Sequence, residues 1–131
     1  MIAGHNQVGQ KKIRKLLDWL SRTETDSLSV TNPFLFDIIK KEYPSFRLTV
    51  STWADVDSVE KAKFWDERGA DRITLPALRA LRDFPFLRAV RKAVKCELQA
   101  IGNDNCLHEC PIEYYHKNSL SHASQCDHPS G

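Results

Sequence analysis

Four short aliphatic runs, "DSLSV", "FRLTVST", "DRITL" and "CELQAI", recur along the chain with helical segments between them. They centre on Leu28, Leu48, Ile73 and Leu98, so successive runs lie about 20 to 25 residues apart. That interval is too long for a hairpin and fits a strand, a helix and two short loops. Strands alternating with helices in this way pair in parallel through right-handed crossovers.

The intervening segments carry helix punctuation. "KKIRKLLDWL" sets Ile13, Leu16, Leu17 and Leu20 at i, i+3, i+4 and i+7, one apolar stripe. Lys11, Lys12, Arg14 and Lys15 fall largely on the other side and read as a solvated face. "TNPFLFDIIKKEYP" opens with Asn32 as N-cap and Pro33 at the first helical position, and Pro44 closes it. "DSVE" has capping-box spacing, with Asp57 as cap and Glu60 reaching back. The helix that follows holds Trp65 as a core residue and stops at Gly69. "DFPFLRAVRKAV" places Phe86 or Leu87, Val90 and Val94 on one face.

The fold class is therefore α/β: parallel β/α repeats in a single domain over residues 1–131. An open doubly wound sheet and part of a (β/α)8 barrel both satisfy the pattern, and four strands are about half of such a barrel. No glycine-rich phosphate loop follows any strand, which argues against a nucleotide-binding Rossmann domain. Four parallel strands leave two open edges for a second copy or another partner to cover. The formal net charge of +2 gives no bulk argument for nucleic acid. No apolar run approaches the roughly 18 residues of a membrane helix, and "MIAGHNQVGQKKIRK" has no signal-peptide core. The expected location is cytoplasmic, where cysteines stay reduced and bind metal or do chemistry.

In both architectures function gathers where strands end. The ends here read Thr31-Asn32, Ser51-Thr52-Trp53, Leu75-Pro76 and Gly102 through Cys106. Asn32, Ser51, Thr52, Trp53, Asn103 and Asn105 are the candidate substrate-binding residues, with capping as the competing role of Asn32. The last strand runs into a Cys/His-rich stretch, residues 103–126, holding three of the four cysteines and three of the five histidines.

Cys106, Cys110 and Cys126 are the candidate metal ligands. Thiolates suit iron–sulfur clusters and zinc, and both readings stand at this point. A cluster needs a fourth thiolate; zinc would take Cys106, Cys110 and two of His116, His122 and Cys126. Cys96, inside the fourth strand, reads as a small buried hydrophobe. His116 and His122 are candidate general bases or ligands, while His5 and His128 near the termini read as solvated. Ser119, Ser121 and Ser124 lie near His122, but no orienting acid is visible for a nucleophile pair. Trp53, Tyr114 and Tyr115 are able to stack on a ring. Arg79, Arg82, Arg88, Arg91, Lys92 and Lys95 form a basic segment that would touch RNA phosphates or simply face solvent.

Several segments together resemble the U32 peptidase family of collagenase-like proteases. "DSLSVTNPFLFDIIKKEYPSFRLTVST" is similar to that family's strand, helix and strand ending in Ser-Thr. "VDSVEKAKFWDERGADRITLP" is similar to its next helix, glycine turn and strand. "LRDFPFLRAVRKAVKCELQAIGNDNCLHECP" resembles the helix and strand before the family's cysteines. The likeness runs over roughly residues 8 to 125, without the family's usual Ser-Gly-x-Cys segment. It implies the middle portion of a TIM-like barrel. It also implies peptide hydrolysis, or hydroxylation and modification chemistry on RNA or the ubiquinone ring. Several members bind a [4Fe–4S] cluster through four cysteines, which implies such a cluster on Cys106, Cys110 and Cys126.

Overall fold

The structure is a computed structural model and describes residues 7–103, 110–113, 115–116 and 118–119. Four parallel strands form one sheet in the order β1-β2-β3-β4: Ser27–Val30, Arg47–Val50, Arg72–Thr74 and Glu97–Gln99. Among the described residues five α-helices accompany them: α1 (Gln7–Leu20), α2 (Pro33–Glu42), α3 (Val59–Glu67), α4 (Ala77–Ala80) and α5 (Phe84–Ala93).

Each strand is a three- or four-residue piece of its sequence run, and α2, α3 and α5 each begin after a side chain that accepts from a free N–H group. Asn32 caps α2 by accepting from Phe34 N and Leu35 N, with Pro33 locking the first turn. Asp83 caps α5 through Phe86 N at 2.9 Å. The cap expected at Asp57 falls one residue later, and since Lys61 then stands where a capping box needs an acceptor, the box with Glu60 does not form. Ser58 is the cap and accepts from Lys61 N, while Asp57 pairs with Lys61 Nζ at 2.7 Å. Both residues have a short polar side chain, and the helix starts where the backbone first turns helical. Gly69 adopts φ +83, a left-handed conformation open to glycine, and ends α3.

The register puts Val30, Val50, Ile73 and Leu98 in one row across the sheet. This is the apolar face. Leu48, Val50 and Ile73 are fully buried on it with Phe36 and Ile39 of α2, Trp65 of α3 and Val90 of α5. Leu17 reaches the same core from α1, with Ile13 and Leu20 packed against it. Leu16 does not: it is 53% exposed, because it lies about 100° round the helix from buried Leu17. Phe36 and Trp65 meet edge to face at 5.3 Å.

All the long helices feed this one core, and the strand order never reverses. A doubly wound sheet would cover both faces and reverse its order at a switch point. The arrangement is instead that of part of a β/α barrel, with β1 and β4 at its edges. No helix among the described residues is long and apolar enough to cross a membrane.

Candidate functional site

The other face of the sheet is polar, because alternate residues of each strand point away from the core. Its middle row is Ser29, Thr49, Arg72 and Glu97, side by side through the strand register. Glu97 accepts from Arg72 Nη2 at 2.6 Å and Nε at 2.9 Å, and from Arg47 Nη2 at 3.3 Å. The Arg72 guanidinium holds the Glu97 carboxyl below the usual carboxylate range, with Arg47 adding to it.

The next row lies at the carboxyl ends of the strands. There Thr74 and Gln99 are register partners, and the Thr74 hydroxyl donates to Gln99 Oε1 at 3.0 Å. Thr74 is 6% exposed, whereas Gln99 is open to solvent. Ser51 follows Val50 and donates its backbone N–H to Val30 O at 3.0 Å, so β1 and β2 end level with each other.

At the end of β2 the chain makes a 3-10 turn, Thr52–Ala54. The Ser51 hydroxyl oxygen accepts from Trp53 N at 3.3 Å. Trp53 is 43% exposed, an indole presented at the rim. The turn ends at Asp55, whose φ of 50 is left-handed, and Lys61 Nζ donates to its carbonyl at 2.9 Å.

Ser51, Thr52 and Trp53 are thus contiguous at the end of β2, and Asn32 stands at the end of the neighbouring strand. The Asn32 Oδ1 is engaged with Phe34 N at 2.9 Å and Leu35 N at 3.3 Å, so capping occupies it. Asn103 follows β4 and is exposed. Asn105, Cys106, His122 and Cys126 lie outside the described residues, as does Tyr114. Cys110 is a free, half-buried thiol, and its carbonyl accepts from Glu113 N at 3.2 Å. His116 is exposed, and its backbone N–H donates to Ile112 O at 3.0 Å. Among the described residues no group of three His, Cys, Asp or Glu side chains is arranged to hold a metal ion.

Cys96 is unsuited to be a ligand. It is 9% exposed and sits just before β4, at the opposite end of the strand from the Cys/His-rich stretch. Burial, together with a hydrogen bond to the Asp66 carboxylate, pushes its thiol up to about 12. In the metal-free protein Cys96 is therefore a protonated core thiol.

Thr74, Gln99 and Glu113 are the residues that reading the sequence for motifs passed over. Thr74 and Gln99 had a signal: in "RLTV", "RIT" and "ELQ" polar residues alternate with aliphatic ones, which marks one solvated face. Glu113, 6% exposed and three residues after Cys110, had none.

The sequence profile of peptidase family U32 matches residues 5–128. This chain belongs to that family. An uncharacterized protease of Methanocaldococcus jannaschii is 34% identical over 122 residues, which are 93% of this chain and 36% of the relative. The solved structure of a U32 peptidase superposes with a TM-score of 0.78 at 31% identity, covering 94% of this chain and 49% of that one. The chain therefore spans about a third to a half of the length of these U32 relatives.

Proposed function

We propose that this chain supplies part of the substrate-binding rim of a U32-type hydrolase acting on peptides or unfolded protein. The observation that carries the reading is the rim itself. Four parallel strands end within one residue of each other, with Ser51, Thr74 and Gln99 on the open face and Trp53 exposed beside them. Strand carboxyl ends are where β/α folds gather their binding groups. An indole beside hydroxyl and carboxamide groups suits a chain that carries both apolar side chains and backbone amides. The peptide class comes from the relatives, a protease and a peptidase by name. In this reading Thr52 and Asn103 flank the bound chain, together with Asn105. His116 or His122 is the candidate general base. The open edges of β1 and β4 take further parallel strands, from a second copy or another partner.

The density of cysteines and histidines after β4, Cys110 among them as a free, half-buried thiol, supports a second element in this reading, a metal centre. The donor set is Cys106, Cys110 and Cys126, with Cys96 set apart before the start of β4. Three thiolates suit a [4Fe–4S] cluster with one further ligand, and zinc with His116 or His122 is the competing occupant. A bound cluster would supply electron transfer and turn the chemistry towards hydroxylation or modification; bound zinc would supply Lewis acidity.

Anaerobic purification, with a visible spectrum and iron, sulfide and zinc analysis, tests the metal centre. Iron matched by sulfide, lost in Cys110→Ser, is the expected result; a metal-free protein overturns this element. The rim is tested by peptide binding followed through fluorescence anisotropy. Trp53→Ala should weaken binding and leave the melting temperature unchanged. Equal binding by the variant would remove Trp53 from the site, and no binding by the parent protein would refute the peptide reading.

A further inference from the structure

We infer that Gln99 reads one backbone peptide group of the bound chain, and that Thr74 is the residue that positions it. This rests on the peptide reading above and adds the group of the substrate that is recognised.

Thr74 is 6% exposed on the open face of the sheet and donates its hydroxyl hydrogen to Gln99 Oε1 at 3.0 Å. Gln99 is the last residue of edge strand β4 and is exposed at the rim. Holding a glutamine still costs about as much rotamer entropy as one neutral hydrogen bond returns, so the pair adds little to stability. Its consequence is orientation. With one lone pair of Oε1 engaged by Thr74, the carboxamide keeps two N–H donors and a second lone pair for a ligand. A neutral group with donor and acceptor side by side matches the C=O and N–H of a peptide bond. It does not match a carboxylate or a phosphate, which call for a cation. Ser51 and exposed Trp53 close the same stretch of rim from β2, so side chains flanking the bound amide meet hydroxyl and indole.

The test is fluorescence anisotropy on the full chain with an end-blocked, fluorescein-labelled hexapeptide of alternating Ala and Ser. Gln99→Ala should weaken binding by about tenfold, the equivalent of one well-placed hydrogen bond. Gln99→Glu, which keeps an acceptor for Thr74 but loses the N–H donors, should weaken it as much. Thr74→Val should weaken binding by a smaller factor, and should add nothing in the Gln99→Ala background. Thr74→Ser, which retains the hydroxyl, should bind like the parent. Far-ultraviolet circular dichroism checks that each variant is folded. Undiminished binding by Gln99→Ala or by Gln99→Glu overturns the inference and leaves the peptide reading standing. Additive losses from Thr74 and Gln99 overturn the positioning role. If the parent does not bind the probe, the peptide reading and this inference fall together.

Discussion

Asp66 is a residue whose removal should be felt far from its place in the sequence. It lies in the last turn of α3, and its Oδ1 accepts from Lys95 N at 3.0 Å and Cys96 N at 2.8 Å, thirty residues later. It thereby fixes where the chain enters β4, an edge strand with one neighbour. Hydrogen bonds to a charged acceptor contribute about 1.5–3 kcal/mol each when both ends are shielded from water. The two here are not equal: Lys95 is exposed and water can replace its partner, whereas Cys96 is 9% exposed and its N–H would be left unsatisfied. Asp66→Ala should therefore cost about 2–3 kcal/mol, counting the Cys96 bond nearly in full and the Lys95 bond lightly. In a chain of this size that lowers the melting temperature by roughly 8–12 °C. Asp66→Asn keeps an oxygen in place and should cost about half as much. Burial by itself would raise the Asp66 carboxyl, but the N–H donors of Cys96 and Lys95 outweigh it and hold it below the usual range. A carboxyl lowered in the folded state stabilises above its unfolded pKa of about 3.9, and that stabilisation is lost as the pH falls through the folded value. The gap between parent and Asp66→Ala should thus be full at pH 7 and shrink below about pH 4. Urea denaturation at pH 7 and pH 3 measures both. A loss below about 0.5 kcal/mol at pH 7, or an equal gap at both pH values, would refute the reasoning.

Asn32→Ala should destabilise by about 1 kcal/mol in the same assay, through loss of the α2 cap, and leave peptide binding unchanged. A binding loss with intact stability would return Asn32 to the site. Leu48, fully buried at the centre of the sheet, should cost about 2–5 kcal/mol on truncation to Ala, and a smaller loss would mean the core is not packed as described. In native metal-free protein at pH 8, iodoacetamide should label Cys110 and spare Cys96, whose thiol is held up to about 12. Peptide mass mapping decides, and early labelling of Cys96 would contradict its burial. If the β1 and β4 edges are covered by a second copy, the melting temperature should rise with protein concentration; a monomer with a concentration-independent transition would sink that proposal.

Much of the fold was legible before any coordinate. Runs around Leu28, Leu48, Ile73 and Leu98 became the four strands, and Asn32, Pro33 and Gly69 marked helix ends, because caps and turns depend on residues within one turn of each other. The same locality explains the shift from Asp57 to Ser58: two adjacent short polar residues offer the backbone similar partners. Of the expected site, Ser51, Thr52 and Trp53 do gather at a strand end, while Asn32 is engaged as a cap.

What the sequence determined by itself is the alternation of strand and helix, and with it a parallel sheet, since a helix about as long as the strand carries the chain back to the end where the strand began. Membership of the U32 family was also readable, from the order and spacing of those segments. Only the tertiary structure decided which side chains share a row. Arg47 and Glu97 are fifty residues apart in the chain, and Thr74 and Gln99 twenty-five, yet each pair meets on the open face. That depends on register, and a slip of one residue would turn every one of these groups towards the core. Register is fixed by the packing of Val30, Val50, Ile73 and Leu98 against helices from all along the chain, an interaction no local stretch of sequence contains.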